Sequence, residues 1–324
     1  MIPLRDTIRS RNYPVVNTSI IVLNALVFFL TLGQTHERFF FIYGLVPARY
    51  SVPEIASYFT FGHQVLSFFS FMFLHGGFWH LAGNMWSLYI FGDNVEDRLG
   101  SVRYLLFYLL CGIASGLSHL VINWHSQIPT IGASGAIAGV MGAYILLYPR
   151  SRILTLIPIF FIPYLVELPA FVFLGIWFLF QFISAAGTPS EGAGIAWWAH
   201  IGGFIFGMVF LKIFLKIPQL GVSAPLRQKT ARQKTPRLQV VRTEGSADDG
   251  NLYGSLTVTP KEARLGTSKL INIPWGYQKR LFRVTIPPGV RHGSNLRLVG
   301  LGKAMDSQKR GDLLLNVMIR EEET

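Results

Sequence analysis

Apolar residues run through the first two thirds of this chain in stretches too long for a soluble core. Nearly uncharged segments cover residues 15–33, 76–92, 102–123, 133–148, 164–185 and 195–216, and roughly 17 to 25 such residues let a helix cross a bilayer. Six membrane-spanning helices are predicted. The run from Ile153 to Ala186 is too long for one helix and too short for two with a loop, and Pro158, Pro163 and Pro169 interrupt it. Its first third reads as an interfacial segment. The first run is longer than a signal-peptide core and is followed by no convincing cleavage site, so it is expected to be retained.

Beyond Ile217 the pattern changes. Residues 218–249 carry Pro218, Pro225 and Pro236 among Arg227, Lys229, Arg232 and Lys234, with too little apolar surface to fold, and read as a basic flexible linker. From residue 250 to 324 an alternation of period two returns. Leu256-Thr257-Val258, Leu270–Ile273, Leu281–Ile286 and Leu313–Ile319 look like strands, and Pro287-Pro288-Gly289 and Arg310-Gly311-Asp312 look like turns between them. The expected fold is an α-helical polytopic membrane protein over residues 1–217, then a small soluble all-β, sandwich-like domain.

Composition agrees with the membrane reading, since 51% of residues are hydrophobic, 14% are charged and mean hydropathy is +0.40. Lysine and arginine mark cytoplasmic loops. Arg5, Arg9 and Arg11, then Arg98 and Arg103, Arg150 and Arg152, and Lys212 and Lys216 all fall on one side of six spans, whereas the opposite side has Arg38 and Arg49 in one long loop. Both termini are therefore expected in the cytoplasm. The net charge of +12 lies mostly beside the membrane or in the tail, where an anionic leaflet attracts it, so nucleic acid is not the expected partner. The single Cys111 permits neither an internal disulfide nor a zinc framework.

Polar side chains at membrane depth are costly and mark function by default. Ser134 opens an apolar stretch within Gly132-Ala133-Ser134-Gly135, and His200 lies in a later one. Serine needs a base within hydrogen-bond reach to become a nucleophile, and His200 could supply it. His80 and Asn84 are four residues apart, so on a helix they share one face and can direct donors at one point. Gly135, Gly139 and Ala143, and Ala199, Gly203 and Gly207, form two small-residue faces beside the two reactive residues, which lets their helices approach closely. Alone, the Gly-x-Ser-Gly tetrad would read as helix packing. His75, His119 and His125 lack the spacing and the acidic neighbours of a zinc site, and no cofactor is implied.

Gly132-Ala133-Ser134-Gly135 opening one span, Ala199-His200-x-x-Gly203 in a later one, His80-x-x-x-Asn84, and Phe91-Gly92-Asp93-Asn94-Val95-Glu96-Asp97-Arg98-Leu99-Gly100 resemble the rhomboid intramembrane serine proteases over residues 12 to 216. The resemblance implies a catalytic dyad. Ser134 would attack a peptide carbonyl, His200 would take and return the proton, and His80, Asn84 and the Ser134 amide would stabilise the oxyanion, with Gly132 turning the chain beside the substrate. Two family features are absent: a tyrosine four residues after the serine is here Ala138, and a Trp-Arg pair in the first loop is replaced around Leu66-Ser67-Phe68. The tail, through Ile286–Leu298, Gly300, Gly302 and Gly311-Asp312-Leu313, resembles the C-terminal substrate-binding domain of DnaJ-type chaperones. That implies a groove for client peptide. No His-Pro-Asp tripeptide is present, so no Hsp70 partnership is implied. The function expected is cleavage of membrane-protein substrates in a bacterial inner membrane, and the alternative is a non-catalytic rhomboid-like protein that binds or sorts clients.

Overall fold

The computed structural model describes residues 1–8, 10–33, 37–159, 162–187, 196–218, 230, 238–241, 243–245, 250–275, 278–303 and 310–320. Two compact units emerge, residues 1–231 and 232–324. The first contains strand β1 (Ile2–Asp6), helix α1 (Val15–Thr31), short helices α2 (Glu37–Tyr43), α3 (Ala48–Ser51) and α4 (Pro53–Ala56), helix α5 (Phe61–Ser70), then α6 (Phe78–Leu99), α7 (Ser101–Ile122), α8 (Ser134–Leu147), strands β2 (Arg152–Ile159) and β3 (Ile162–Pro169), and helices α9 (Ala170–Gly187) and α10 (Trp197–Lys216).

Helices occur in all six apolar stretches, but they are not six equal spans. Among the described residues only α7, α9 and α10 are long and apolar enough to cross a membrane alone, while Phe61–Phe73 and α6 qualify together across a bend of 78°. Helices α1 and α8 are apolar but shorter. For α8 the reason is local: residues 128–133 ahead of it are non-helical, so the helix begins only at Ser134. The segment read as interfacial is a β-hairpin, with β2 and β3 antiparallel and β1 added to its edge. The fifth helix consequently starts at Ala170 rather than at residue 164.

Many apolar side chains of this unit face outward, among them Phe171, Ile176, Leu179 and Phe182 on α9. Water would not tolerate such a surface, and lipid does. Polar groups are held inside instead, where each requires a partner. Helix α1 has no side-chain cap of its own at Pro14, so its first amides depend on Glu96: Val16 N–H donates to Oε1 at 3.1 Å and Asn17 N–H to Oε2 at 2.7 Å. The negative carboxylate also suits the positive end of the helix. Ser101 Oγ donates to the same carboxylate at 2.6 Å, while Asp97 accepts from the Arg11 and Asn12 amides and Asp93 from Ser10. The acidic residues of the Phe91–Gly100 motif thus clamp the chain entering α1 onto α6.

Helix α10 is held at its C-terminal end. Arg103, buried on α7, donates to the Phe214 and Ile217 carbonyls at 3.1 and 2.8 Å, which satisfies oxygens left over at the C-terminus of α10. Along its length α10 meets α8 with almost no side chain between. A Cβ on Gly203 would overlap the Gly135 carbonyl oxygen, one on Gly207 the Gly139 carbonyl oxygen, and one on Gly142 the Phe204 carbonyl oxygen. Backbone therefore packs on backbone.

The second unit contains β4 (Leu238–Val240), β5 (Glu244–Gly245), β6 (Leu252–Val258), a short helix α11 (Pro260–Leu265), β7 (Thr267–Trp275), β8 (Gln278–Ile286), β9 (Asn295–Leu298) and β10 (Leu313–Ile319). All four expected strands are present. The strands form two sheets, β5-β6-β10-β9 and β4-β7-β8, whose inward residues Leu256, Val258, Ile271, Val284, Leu315 and Val317 join one core. The unit is not purely β, because Thr259 and Glu262 form a capping box that starts α11. Nor is the whole of residues 218–249 a linker, since β4 pairs in parallel with β7 and β5 pairs with β6. Pro225, Pro236, Arg227, Lys229, Arg232 and Lys234 of that stretch lie outside the described residues. Lys269 and Glu262 pair at 2.5 Å in the interior, and Asp312 binds the Gly300 amide at 2.8 Å and Arg297 at 2.6 Å.

Two outcomes follow. Gly207→Ala should lower the thermal midpoint of the membrane unit by the equivalent of about 1–3 kcal/mol, the usual cost of overpacking, as read by tryptophan fluorescence in detergent. The Gly300 amide, followed by Arg297, holds the Asp312 carboxyl below its usual range. Its stabilisation is therefore complete above the ordinary carboxylate range and is lost as pH falls through the lowered value. Asp312→Asn should flatten that acid branch in the pH dependence of the second unit's unfolding midpoint.

Candidate active site

Ser134 is the first residue of α8, so its amide has no acceptor in the preceding turn of that helix. Its hydroxyl oxygen lies 2.7 Å from His200 Nε2, across the α8–α10 contact. The two residues are 66 positions apart in sequence. Their approach follows from the glycine packing: Gly135 and Gly203 stand one and three residues from the serine and histidine. Gly135, Gly139, Gly203 and Gly207, expected from sequence to support this contact, all sit in it.

His200 makes a second bond that the sequence reading did not foresee. Its Nδ1 lies 2.7 Å from Gln181 Oε1, from α9. Gln181 is 4% exposed. The ring is flanked by Trp177, 6.2 Å away and tilted by 35°, and by Trp197, 6.2 Å away and nearly perpendicular. The aromatic neighbour that Ala138 cannot provide is thus supplied by α9 and by the start of α10. Trp197 packs edge-on to the imidazole.

His80 and Asn84 lie on one face of α6, as their spacing predicts, and both meet Gly132. A Cβ at Gly132 would fall 2.7 Å from His80 Nε2 and 3.6 Å from Asn84 Nδ2. At φ +121° the residue also adopts backbone that L side chains rarely take. Asn84 is 8% exposed, and its Nδ2 is buried without a hydrogen-bond partner. Such a donor costs about 1–3 kcal/mol unless something else accepts from it. His75 is buried at 3% exposure with its ring 5.1 Å from that of His80.

The reactive pair, its partners and the His80–Asn84 face, though not His75, line one cavity of ≈ 580 Å³. Its walls include His80, Asn84, Gly132, Ser134, Gln181 and His200, with His119, Asn123 and Ser126 toward the connection between α7 and α8. Among the described residues no carboxylate lines it. The first loop leans on the same connection, where Leu45 pairs with Thr130 and the Ala48 amide donates to Ser126. Arg49, expected in a non-cytoplasmic loop, is fully buried there: its guanidinium donates to the carbonyls of Phe41 and Ile42 and stacks 3.7 Å over Phe59.

A hydroxyl and an imidazole sharing a hydrogen inside a set of membrane helices, with a buried amide donor beside them, define a polytopic membrane protein with a serine–histidine site. Residues 62–217 match the sequence model of the Rhomboid domain, and residues 246–324 match that of the DnaJ C terminal domain. The membrane unit thus carries a match to the rhomboid domain, and the relatives it is similar to are rhomboid proteins. It is 30% identical over 150 residues to Rhomboid protein 1, mitochondrial, of Saccharomyces cerevisiae, covering 43% of this chain and 38% of that protein. Similarity to Rhomboid protease GluP of Bacillus subtilis reaches 35% over 150 residues, covering 46% and 25%. Presenilin-associated rhomboid-like protein, mitochondrial, of Mus musculus is 28% identical over 201 residues, covering 60% and 47%. The chain therefore spans less than half the length of these relatives.

Proposed function

We propose that this protein is an intramembrane serine endopeptidase that cuts transmembrane or juxtamembrane segments of other membrane proteins. The observation that carries the reading is the 2.7 Å contact between Ser134 Oγ and His200 Nε2, which is the geometry general-base activation of a serine requires. In the proposed cycle His200 accepts the hydroxyl proton as Ser134 attacks the scissile carbonyl. The developing oxyanion is met by the Asn84 amide, His80 and the Ser134 backbone N–H. His200 then protonates the leaving amine. Water enters, His200 removes its proton, and the acyl-enzyme is hydrolysed.

The unpartnered Asn84 donor supports the oxyanion role, since donors fixed in a water-poor site act on transition-state charge more strongly than the same donors in water. Gly132 allows the chain to pass this point without covering His80. A purely client-binding role would need neither the shared proton nor the orphaned amide. The cavity walls at Ser126, at residues 128–132 and at Ala196 come from connections that carry no lysine or arginine, which supports entry of water from the non-cytoplasmic face. Pairing of β1 with β2 supports one common side for the basic N-terminal segment and for Arg150 and Arg152. On this reading six spans leave both termini in the cytoplasm, where the DnaJ C terminal domain binds client peptide or a protein partner. A bacterial inner membrane is proposed from the sequence alone, because the relatives include proteins named as mitochondrial as well as one from Bacillus subtilis.

Ser134→Ala should abolish cleavage of a single-span model substrate in proteoliposomes, and His200→Ala should be similarly severe. Asn84→Ala should retain activity reduced by about 10²–10³, the usual cost of one oxyanion donor. Undiminished product from Ser134→Ala, measured by gel band shift, would refute the nucleophile.

A further inference from the structure

Helix α9 buries a narrow stripe. Ala170, Phe173, Leu174, Gln181 and Ala185 are its buried residues, and Trp177 completes the series at helical spacing. Gln181 is the polar member of that stripe, in a helix otherwise apolar but for Ser184. An amide side chain at such a position is expensive unless its hydrogen-bonding groups are matched. Its oxygen is matched to His200 Nδ1 at 2.7 Å.

We infer that Gln181 is a positioning residue for the proteolytic reaction: its Oε1 accepts the Nδ1–H of His200 and so fixes the imidazole in the tautomer whose Nε2 can take the Ser134 proton. The inference rests on the protease reading above and adds a third member to its dyad. The chemistry is one of consistency. A neutral imidazole has one N–H and one bare nitrogen, and the hydrogen bond made by one nitrogen decides the state of the other. With Nδ1 donating to Gln181, Nε2 is bare and lies 2.7 Å from the serine oxygen. When Nε2 then gains a proton, the resulting imidazolium still has an acceptor at Nδ1. No carboxylate among the described cavity residues competes for that place. Serine hydrolases that use a buried aspartate hold the histidine in the same way. Here the acceptor is neutral, which avoids placing a second charge among apolar helices.

The amide also bears on where the ring can swing. Trp177 lies one helical turn before Gln181 and faces the same imidazole at 6.2 Å, so α9 supplies both the acceptor and a wall. Ser134 from α8 and Gln181 from α9 then pin opposite edges of a ring carried by α10. Among the described residues the other titratable groups lining the cavity are His80 on α6 and His119 on α7.

The test uses the full chain in lipid nanodiscs, with wild type, Gln181→Leu and Gln181→Glu. Gln181→Leu removes the acceptor and should lower kcat about 10- to 100-fold, the range expected for leaving a buried donor unpaired, with KM little changed. Gln181→Glu restores an acceptor and should recover part of kcat. Its negative charge favours the protonated ring, so the acid limb of its kcat profile should move to higher pH relative to wild type. ¹⁵N-histidine NMR of wild type, with His200→Ala assigning the signal, should show the Nδ1–H tautomer at His200 and a mixture in Gln181→Leu. Equal kcat for wild type and Gln181→Leu, or an Nε2–H tautomer in wild type, would overturn the inference. If Gln181→Leu fails to fold, the wild-type tautomer and the Gln181→Glu profile still decide it. A wild type that shows the Nδ1–H tautomer but neither cleaves nor labels would instead sink the protease reading, so the two failures are distinguishable.

Discussion

Backbone contact between α8 and α10 is the constraint on which the rest of this membrane unit depends. Ser134 and His200 have short side chains, and they can share a hydrogen only if their helices come closer than ordinary side chains allow. Glycine at 135, 139, 142, 203 and 207 removes that obstacle, and each missing Cβ would otherwise collide with backbone or side chain of a neighbour. Among lipid tails there is no hydrophobic drive to press two helices together, so close packing and polar contacts must supply the attraction. The same glycines that bring the helices together bring the reactive pair together.

Around that contact the polar groups are distributed by necessity. Glu96 caps α1, Arg103 caps α10, and Asn17 bonds both Tyr104 and the Leu88 carbonyl, so these three buried polar side chains each meet a structural partner. Asn84 is an exception. Its Nδ2 is left without a partner beside Gly132, at the place where the proposed reaction creates negative charge. In the proposed reaction that donor, which lines the cavity, is available to the oxyanion.

Much of this was legible in the sequence because membrane helices are written in uninterrupted apolar runs, and because a serine, two histidines and an asparagine stand out against them. The β2–β3 hairpin was not legible. With Ile153, Leu154, Leu156 and Ile157 on successive or near-successive positions, both strand faces are apolar and the alternation that would mark a strand disappears. Gln181 was overlooked for the opposite reason, as a lone amide with no motif around it. The signal that would have found it is physical: an amide deep in an apolar helix, one turn from Trp177, requires a partner. In the tail, alternation revealed the strands with buried inner faces, whereas β4 and β5 are too short for any periodicity to register.

The central claim is that Ser134 is made nucleophilic by His200 within the membrane unit. The most direct measurement is peptide mapping by mass spectrometry after the full chain, in nanodiscs, is treated with a fluorophosphonate. The account predicts a covalent adduct on Ser134 that forms in wild type and not when His200 is replaced by alanine. An adduct on another serine, or one on Ser134 that forms equally fast without the imidazole, would contradict it.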